Sequence, residues 1–235
     1  MSLSPLSPKS PVVRVVDLWK EYHENGQVVT QALRGANLEA APGEVLALFG
    51  KSGSGKTTLL NMLAGLDRPT RGLIEIDGKN LETLGEEGRT ELRRSRLGFV
   101  FQFFNLLPTL TAFENVYLAL ELAGKLNPEA ARAALERVGL KGKENRYPHE
   151  LSGGEQQRIA IARAIVKEPA LILADEPTGN LDTVTGNQIL EILTERCRES
   201  AMSLIMVTHT PLACKFADRI LKMVDGVVTE DEKCD

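Results

Sequence analysis

Gly50-Lys51-Ser52-Gly53-Ser54-Gly55-Lys56-Thr57 has the spacing G-x-x-x-x-G-K-T, which is suited to holding a polyphosphate. Glycines let consecutive backbone N–H groups turn inward on an anion, and a helix starting behind them adds a partial positive charge of about half a unit. Lys56 would reach the β- and γ-phosphates as a point charge, and the Thr57 hydroxyl would take one position on Mg²⁺. The competing reading is a glycine-rich surface turn with a chance lysine. The flanks weigh against it. The largely apolar Glu44-Val45-Leu46-Ala47-Leu48-Phe49 predicts a strand before the loop, and Thr58-Leu59-Leu60-Asn61-Met62-Leu63-Ala64 predicts a helix after it.

A second group of residues could supply the chemistry on such a ligand. Leu171-Ile172-Leu173-Ala174 reads as a fully buried parallel strand and ends in Asp175-Glu176. Two carboxylates at the tip of a buried strand are costly unless employed. Asp175 suits a Mg²⁺ ion through its water shell, and Glu176 suits a general base for an attacking water. A third buried strand, Ser203 to Thr208, ends in His209. A histidine at a strand end is often structural, but this one falls on the edge where open α/β sheets bind ligands. His149-Glu150-Leu151-Ser152-Gly153-Gly154-Glu155 opens a helix running to about Lys167. Ser152, Gly153 and Gly154 there form either a half-site for a phosphate brought by another surface or a plain Ser-capped helix.

The remaining elements position these groups. Val12 to Val16 starts a strand, and Asp17 to Tyr22 puts two aromatics ahead of a turn at Asn25-Gly26. Tyr22 and Trp19 each have the flat face an adenine ring needs, and each also suits a packed strand. Gly72 to Gly78 predicts another strand, giving an antiparallel sheet beside the nucleotide core. Arg89, Arg93, Arg94 and Arg96 fall in a charge-alternating segment, Glu82 to Arg96, that predicts a solvated helical face. Leu97 to Phe101 is strand-like and delivers Gln102. Phe103, Phe104, Leu106 and Leu107 then crowd a segment that Pro108 keeps irregular. They either cap a core or form an exposed docking patch. Ala112 to Arg146 turns helical, with a start at Asn127-Pro128-Glu129 and a stop at Gly139. Arg219 to Val224, the turn Asp225-Gly226 and a charged tail close the chain.

Bulk composition narrows the classes. The chain has 235 residues, 43% hydrophobic and 26% charged, which suits one sizeable globular domain. A net charge of −4 argues against a nucleic-acid face. No apolar run approaches a membrane span. The three cysteines, Cys197, Cys214 and Cys234, lack metal-ligand spacing and read as reduced thiols. Met1 to Pro11 is rich in Ser and Pro and reads as a disordered leader before one domain over 12–235.

The sequence resembles the nucleotide-binding subunits of ATP-binding cassette transporters from Val12 to about Glu230. Leu151-Ser152-Gly153-Gly154-Glu155 is that family's pentapeptide, and it stands in the family's order with the phosphate loop, Gln102, Asp175-Glu176 and His209. The resemblance implies an α/β fold, a P-loop NTPase (RecA-like) core with an antiparallel β subdomain and an inserted α-helical subdomain over about 103–153. It implies that Tyr22 stacks on adenine and that Gly50, Lys51, Ser52, Gly53, Ser54, Gly55, Lys56, Thr57 and Thr58 bind the phosphates of ATP. Gln102 would join Thr57 and Asp175 around Mg²⁺, Glu176 would be the general base, and His209 would contact the γ-phosphate. Ser152, Gly153 and Gly154 would close over ATP held by a second copy, and Asp182 would lie in the dimer contact.

Phe101 to Thr111 followed by Glu114-Asn115-Val116 looks like the branch containing lipoprotein-release and macrolide-export ATPases. That resemblance implies an integral-membrane permease docked at Phe103, Phe104, Leu106 and Leu107, and a cytoplasmic protein held at the inner face of the membrane through it. Some importer ATPase subunits share parts of this stretch. Soluble repair, chromosome-maintenance or translation ATPases share the core. They usually carry a long coiled-coil insertion or a second cassette, and no sustained heptads lie between Lys56 and Ser152.

Overall fold

Among the described residues ten strands form two sheets, and the difference in their residue patterns explains the layering. The computed structural model describes residues 10–24 and 27–230. The expected turn at Asn25-Gly26, most of the leader and the charged tail lie outside that range. In chain order the elements are β1 (Val13–Glu24), β2 (Gln27–Ala40), β3 (Val45–Phe49), α1 (Lys56–Leu63), β4 (Arg71–Ile76), β5 (Lys79–Asn80), α2 (Glu86–Ser95) and β6 (Leu97–Phe101). There follow α3 (Ala112–Leu122), α4 (Pro128–Arg137), α5 (Gly153–Ile165), β7 (Leu171–Asp175), α6 (Thr183–Glu199), β8 (Ser203–Val207), β9 (Arg219–Val224) and β10 (Val227–Glu230).

The antiparallel sheet runs β2-β1-β4-β5, and the main sheet runs β10-β9-β3-β8-β7-β6. In the main sheet β9, β3, β8, β7 and β6 are parallel, and only β10 pairs antiparallel. β3, β7 and β8 are buried almost end to end because both faces are covered. Alternation along them supplies two cores. Val45 and Ala47 face one with Ile172, Ala174, Leu204 and Met206, and α3 to α6 pack there. Leu46 and Leu48 face the other with Leu171, Leu173 and Ile205, against α1 and the antiparallel sheet.

The helices α3, α4 and α5 pack on one another between β6 and β7. Their starts follow local chemistry. Asn127 accepts from the Ala130 N–H at 3.1 Å ahead of Pro128, and Thr111 forms a capping box with Glu114. Two expectations are corrected. Arg89 does not lie on a solvated face: it is buried and donates to the Leu81 carbonyl at 3.1 and 3.2 Å, so only part of the arginine run reaches water. Among the cysteines, Cys197 is a free thiol that burial pushes up to about 12, but Cys214 is disulfide-bonded.

Candidate active site

The phosphate loop joins β3 to α1 and is pressed between other backbones. A Cβ on Gly55 would sit 2.4 Å from the Ala32 carbonyl oxygen, and Gly55 holds φ 107°, a left-handed conformation that favours glycine. A Cβ on Gly50 would sit 2.5 Å from the Met223 carbonyl oxygen. The pattern of glycines is therefore set by β2 and β9 as much as by a ligand. Lys56 opens α1 and folds over the loop, its Nζ donating to the Gly50 carbonyl at 2.6 Å and the Lys51 carbonyl at 3.0 Å. The N-terminus of α1 has no side-chain cap and no acidic residue in its first turn. Its field is left for an anion from elsewhere.

Register brings the other groups to the same edge. Phe101 lies beside Asp175, Asp175 beside Val207, and Leu48 beside Val207 in the parallel ladder. The residues just past those strand ends, Gln102, Glu176, His209 and the phosphate loop, must then emerge side by side. They line one cavity of about 850 Å³ whose walls also include Tyr22, Thr57, Thr58 and Asp175. Gly50, Lys51, Ser52, Gly53, Gly55 and Lys56 line it too; Ser54 is buried beneath and its hydroxyl has no partner. The two candidate aromatics differ in position. Tyr22 is on the cavity wall, its hydroxyl donating to Asp67 at 3.2 Å, whereas Trp19 stacks on Arg71 and donates to Asp17.

Within the cavity, His209 Nδ1 is 2.8 Å from Glu176 Oε2. Glu176 holds φ 49°, a conformation uncommon for a residue with a Cβ, and its N–H donates to the Val207 carbonyl at 2.9 Å. Burial raises the Asp175 carboxyl above its usual range, Glu176 adds to this, and Lys56 opposes both. Thr57, Gln102 and Asp175 offer one hydroxyl, one amide oxygen and one carboxylate. That hard oxygen set suits Mg²⁺, which uses few protein carboxylates and completes its shell with water and phosphate oxygens. Among the described residues no cluster of three His, Cys, Asp or Glu side chains offers a softer or more highly charged site.

Ser152, Gly153 and Gly154 do not line this cavity. Ser152 caps α5 in a reciprocal box with Glu155: its backbone N–H donates to Glu155 Oε2 at 2.9 Å, and its hydroxyl accepts from the Glu155 N–H. Lys143 pairs with Glu155. The tip packs closely on the start of α6, where a Cβ on Gly154 would meet Thr185 Cγ2 at 2.6 Å. Asp182 caps α6, accepting from the Val184 and Thr185 N–H groups at 3.0 Å each. The tip thus lies outside the cavity lining, with Ser152 exposed.

The crowded apolar segment splits. Phe103 is 72% exposed and Leu107 45% exposed, while Phe104 and Leu106 are half-buried. Phe104 turns its ring toward Gly153. An adjacent groove of about 340 Å³ is lined by Phe99, Phe101, Leu122, Arg163 and Lys167. Sequence reasoning missed Asn180, which exchanges hydrogen bonds with Gln102 at 2.9 and 3.2 Å. It also missed Gln157, a buried polar residue at the start of the stripe 157, 160, 161, 164 on α5. That break in an inward face was the available signal.

Comparison with known proteins follows the same lines. A profile described as ABC transporter matches residues 33–179. The chain is 44% identical to a lipoprotein-releasing system ATP-binding protein LolD of Geobacter metallireducens, over 94% of this chain and 100% of that protein. It is 44% identical to a macrolide export ATP-binding/permease protein MacB of Syntrophobacter fumaroxidans, over 92% of this chain and 31% of that longer protein. A solved structure of the ATP-binding cassette MJ0796, dimeric and bound to ADP and Pi after hydrolysis, superposes with a TM-score of 0.84. It is 39% identical and covers 94% of this chain and 98% of its own.

Proposed function

The chain belongs to the ABC transporter family, and from that membership and the geometry of the cavity we propose how its residues divide the work of hydrolysis. It is the ATP-hydrolysing subunit of a transporter of the lipoprotein-release and macrolide-export type, an exporter-like ATPase that uses ATP with Mg²⁺. It works as a homodimer with a membrane permease as partner. Among the described residues no helix is long and apolar enough to cross a membrane, so attachment at the inner face would come through that permease.

In this reading Tyr22 stacks on adenine, the backbone of Gly50 to Thr58 wraps the phosphates, and Lys56 leaves its loop carbonyls for the β- and γ-phosphates. Thr57, Gln102 and Asp175 hold Mg²⁺, which when bound neutralises charge on the β- and γ-phosphates. Glu176 accepts the proton of the attacking water, and His209, whose Nδ1 lies 2.8 Å from Glu176 Oε2, contacts the γ-phosphate. ATP and water become ADP and phosphate. The observation that supports this is the separation of two half-sites: one cavity is lined by Tyr22, the phosphate loop apart from the buried Ser54, Gln102, Asp175, Glu176 and His209, while Ser152, Gly153 and Gly154 are not part of its lining. A second copy's serine-glycine tip completes the site.

Glu176→Gln tests the reading. Binding of ATP should persist, hydrolysis should fall by about 10²- to 10⁴-fold, and light scattering should show an ATP-dependent dimer. Near-normal turnover would remove Glu176 as the base. The exposure of Phe103 and Leu107, next to the half-buried Phe104 and Leu106, supports docking of a cytoplasmic helix of the permease on this segment. Phe103→Ser should leave the fold within about 0.5 kcal/mol of the native stability and the isolated ATPase intact. It should lower ATP turnover coupled to the permease in reconstituted vesicles, and unaltered coupling would move the docking site elsewhere.

A further inference from the structure

Gln157 is wholly buried, one turn into α5. Its Nε2 donates to the Pro177 carbonyl at 2.6 Å and to the Phe101 carbonyl at 3.3 Å. Pro177 directly follows Glu176, and Phe101 directly precedes Gln102. One side-chain amide therefore bridges the backbones of the two loops that carry the candidate base and the candidate metal ligand. Two carbonyl acceptors fix which end of the amide faces them, because an oxygen there would meet two oxygens. The other end, Oε1, has no hydrogen-bond partner.

A buried amide left half-unpaired is worse for stability than an aliphatic side chain of similar volume. Packing alone does not account for a glutamine at this position. The helix that carries it begins at the Ser152 cap and is continuous to Ile165. Further along it, Arg163 donates to the Phe104 carbonyl at 2.8 Å and the Asn105 carbonyl at 2.5 Å. Those two residues hold φ 61° and 49°, so the Gln102 loop is pinned to α5 in a conformation it would not adopt freely. The tip of α5 and its bonds to both loops therefore lie on one uninterrupted helix.

We propose that Gln157 is a positioning residue that links the two ATP sites of the dimer. The tip of α5 touches ATP held by the partner copy, and Gln157, on the same helix, sets the spacing of Gln102 and Glu176 in its own subunit. Occupation of one site is thereby felt at the other. This rests on the two-copy reading above.

Gln157→Met keeps the volume and removes both donors. In the full chain it should leave ATP affinity of the isolated subunit within about twofold, while kcat falls by about 10- to 100-fold and the Hill coefficient for ATP drops toward one. Combined with Glu176→Gln, it should still give an ATP-dependent dimer. Native kcat and an unchanged Hill coefficient would overturn the proposal, as would a native enzyme without cooperativity. A Glu176→Gln protein that never dimerises strikes the two-copy reading instead. If Gln157→Met melts below the assay temperature, Gln157→Asn retains the amide but is too short to span both carbonyls, and the same split of kcat from affinity is expected. Unfolding of both variants would make Gln157 a stability residue and end the proposal.

Discussion

The helices α1 and α5 both begin at glycine-rich turns, yet their N-termini are finished in opposite ways. α1 starts from Gly55 in a left-handed conformation, without a side-chain cap and without an acid in its first turn, and Lys56 is its first residue. α5 starts from Ser152 with a complete capping box, and Glu155 stands in its first turn with Lys143 against it. Orphan N–H groups at a helix start must be satisfied by something. At α1 that something has to come from outside the chain, and a polyphosphate fits. At α5 the chain supplies its own partner: the Ser152 hydroxyl accepts from the Glu155 N–H and donates to Glu155 Oε2 at 3.1 Å, so in the proposed reading it must leave that carboxylate to reach a second surface. In the proposed reading the contrast separates a binding site from a closing surface.

Removing the cation at α1 should have the largest effect. Lys56→Ala should weaken ATP binding by the single subunit and lower hydrolysis by about 10³-fold, measured by nucleotide titration and phosphate release. Intact binding would mean that the loop backbone alone holds the phosphates. At α5 the expected pattern is different. Ser152→Asp preserves the N-cap, since aspartate caps as well as serine, but aims a carboxylate at the incoming phosphate. Single-subunit ATP affinity should hold, with a modest loss of thermal stability because the new carboxylate replaces the hydroxyl that donates to Glu155 Oε2, while turnover falls by about 10²-fold and the ATP dimer of the Glu176→Gln protein is lost. A normal dimer in that double variant would reduce Ser152 to a structural cap.

Much of this contrast was legible in the chain. The phosphate loop, the strand tips at Gln102, Asp175 and His209, and the cap at Ser152 are local patterns whose geometry follows from a few neighbouring residues. What was not legible depends on contacts between distant segments. The cavity wall formed by Thr30, Gln31, Ala32 and Gly226 comes from β2 and the β9–β10 turn, and no spacing rule joins them to Lys56. Arg89 looks like its neighbours in sequence but points at the Leu81 carbonyl. Phe103 and Phe104 are chemically identical, and only the left-handed turn at Phe104 and Asn105 decides that one ring is exposed and the other lies over Gly153. Sequence periodicity predicts faces of regular elements, and this turn belongs to none.

The smallest effect sharpens the contrast through acid stability. Lys143 first, then the Ser152 backbone N–H, hold the Glu155 carboxyl below the ordinary glutamate value of 4.5 in the folded chain. The unfolded chain therefore binds more protons in the interval between the two values, and stability must fall with pH there. The contribution of Glu155 is complete above about pH 4.5 and is lost as pH drops through the lower, folded value. Glu155→Ala should cost about 1 to 2 kcal/mol at neutral pH, with the deficit relative to the native protein shrinking as the medium is acidified. Other depressed carboxylates, Glu114 and Asp182 among them, are shared by both proteins and cancel in the difference. Denaturant melts of the two at pH 7 and pH 4 give the measurement. A deficit that does not change with pH would show that the helix tip is held by packing against Leu181 and Thr185 rather than by its own cap, and α5 would then resemble α1 in depending on a neighbour.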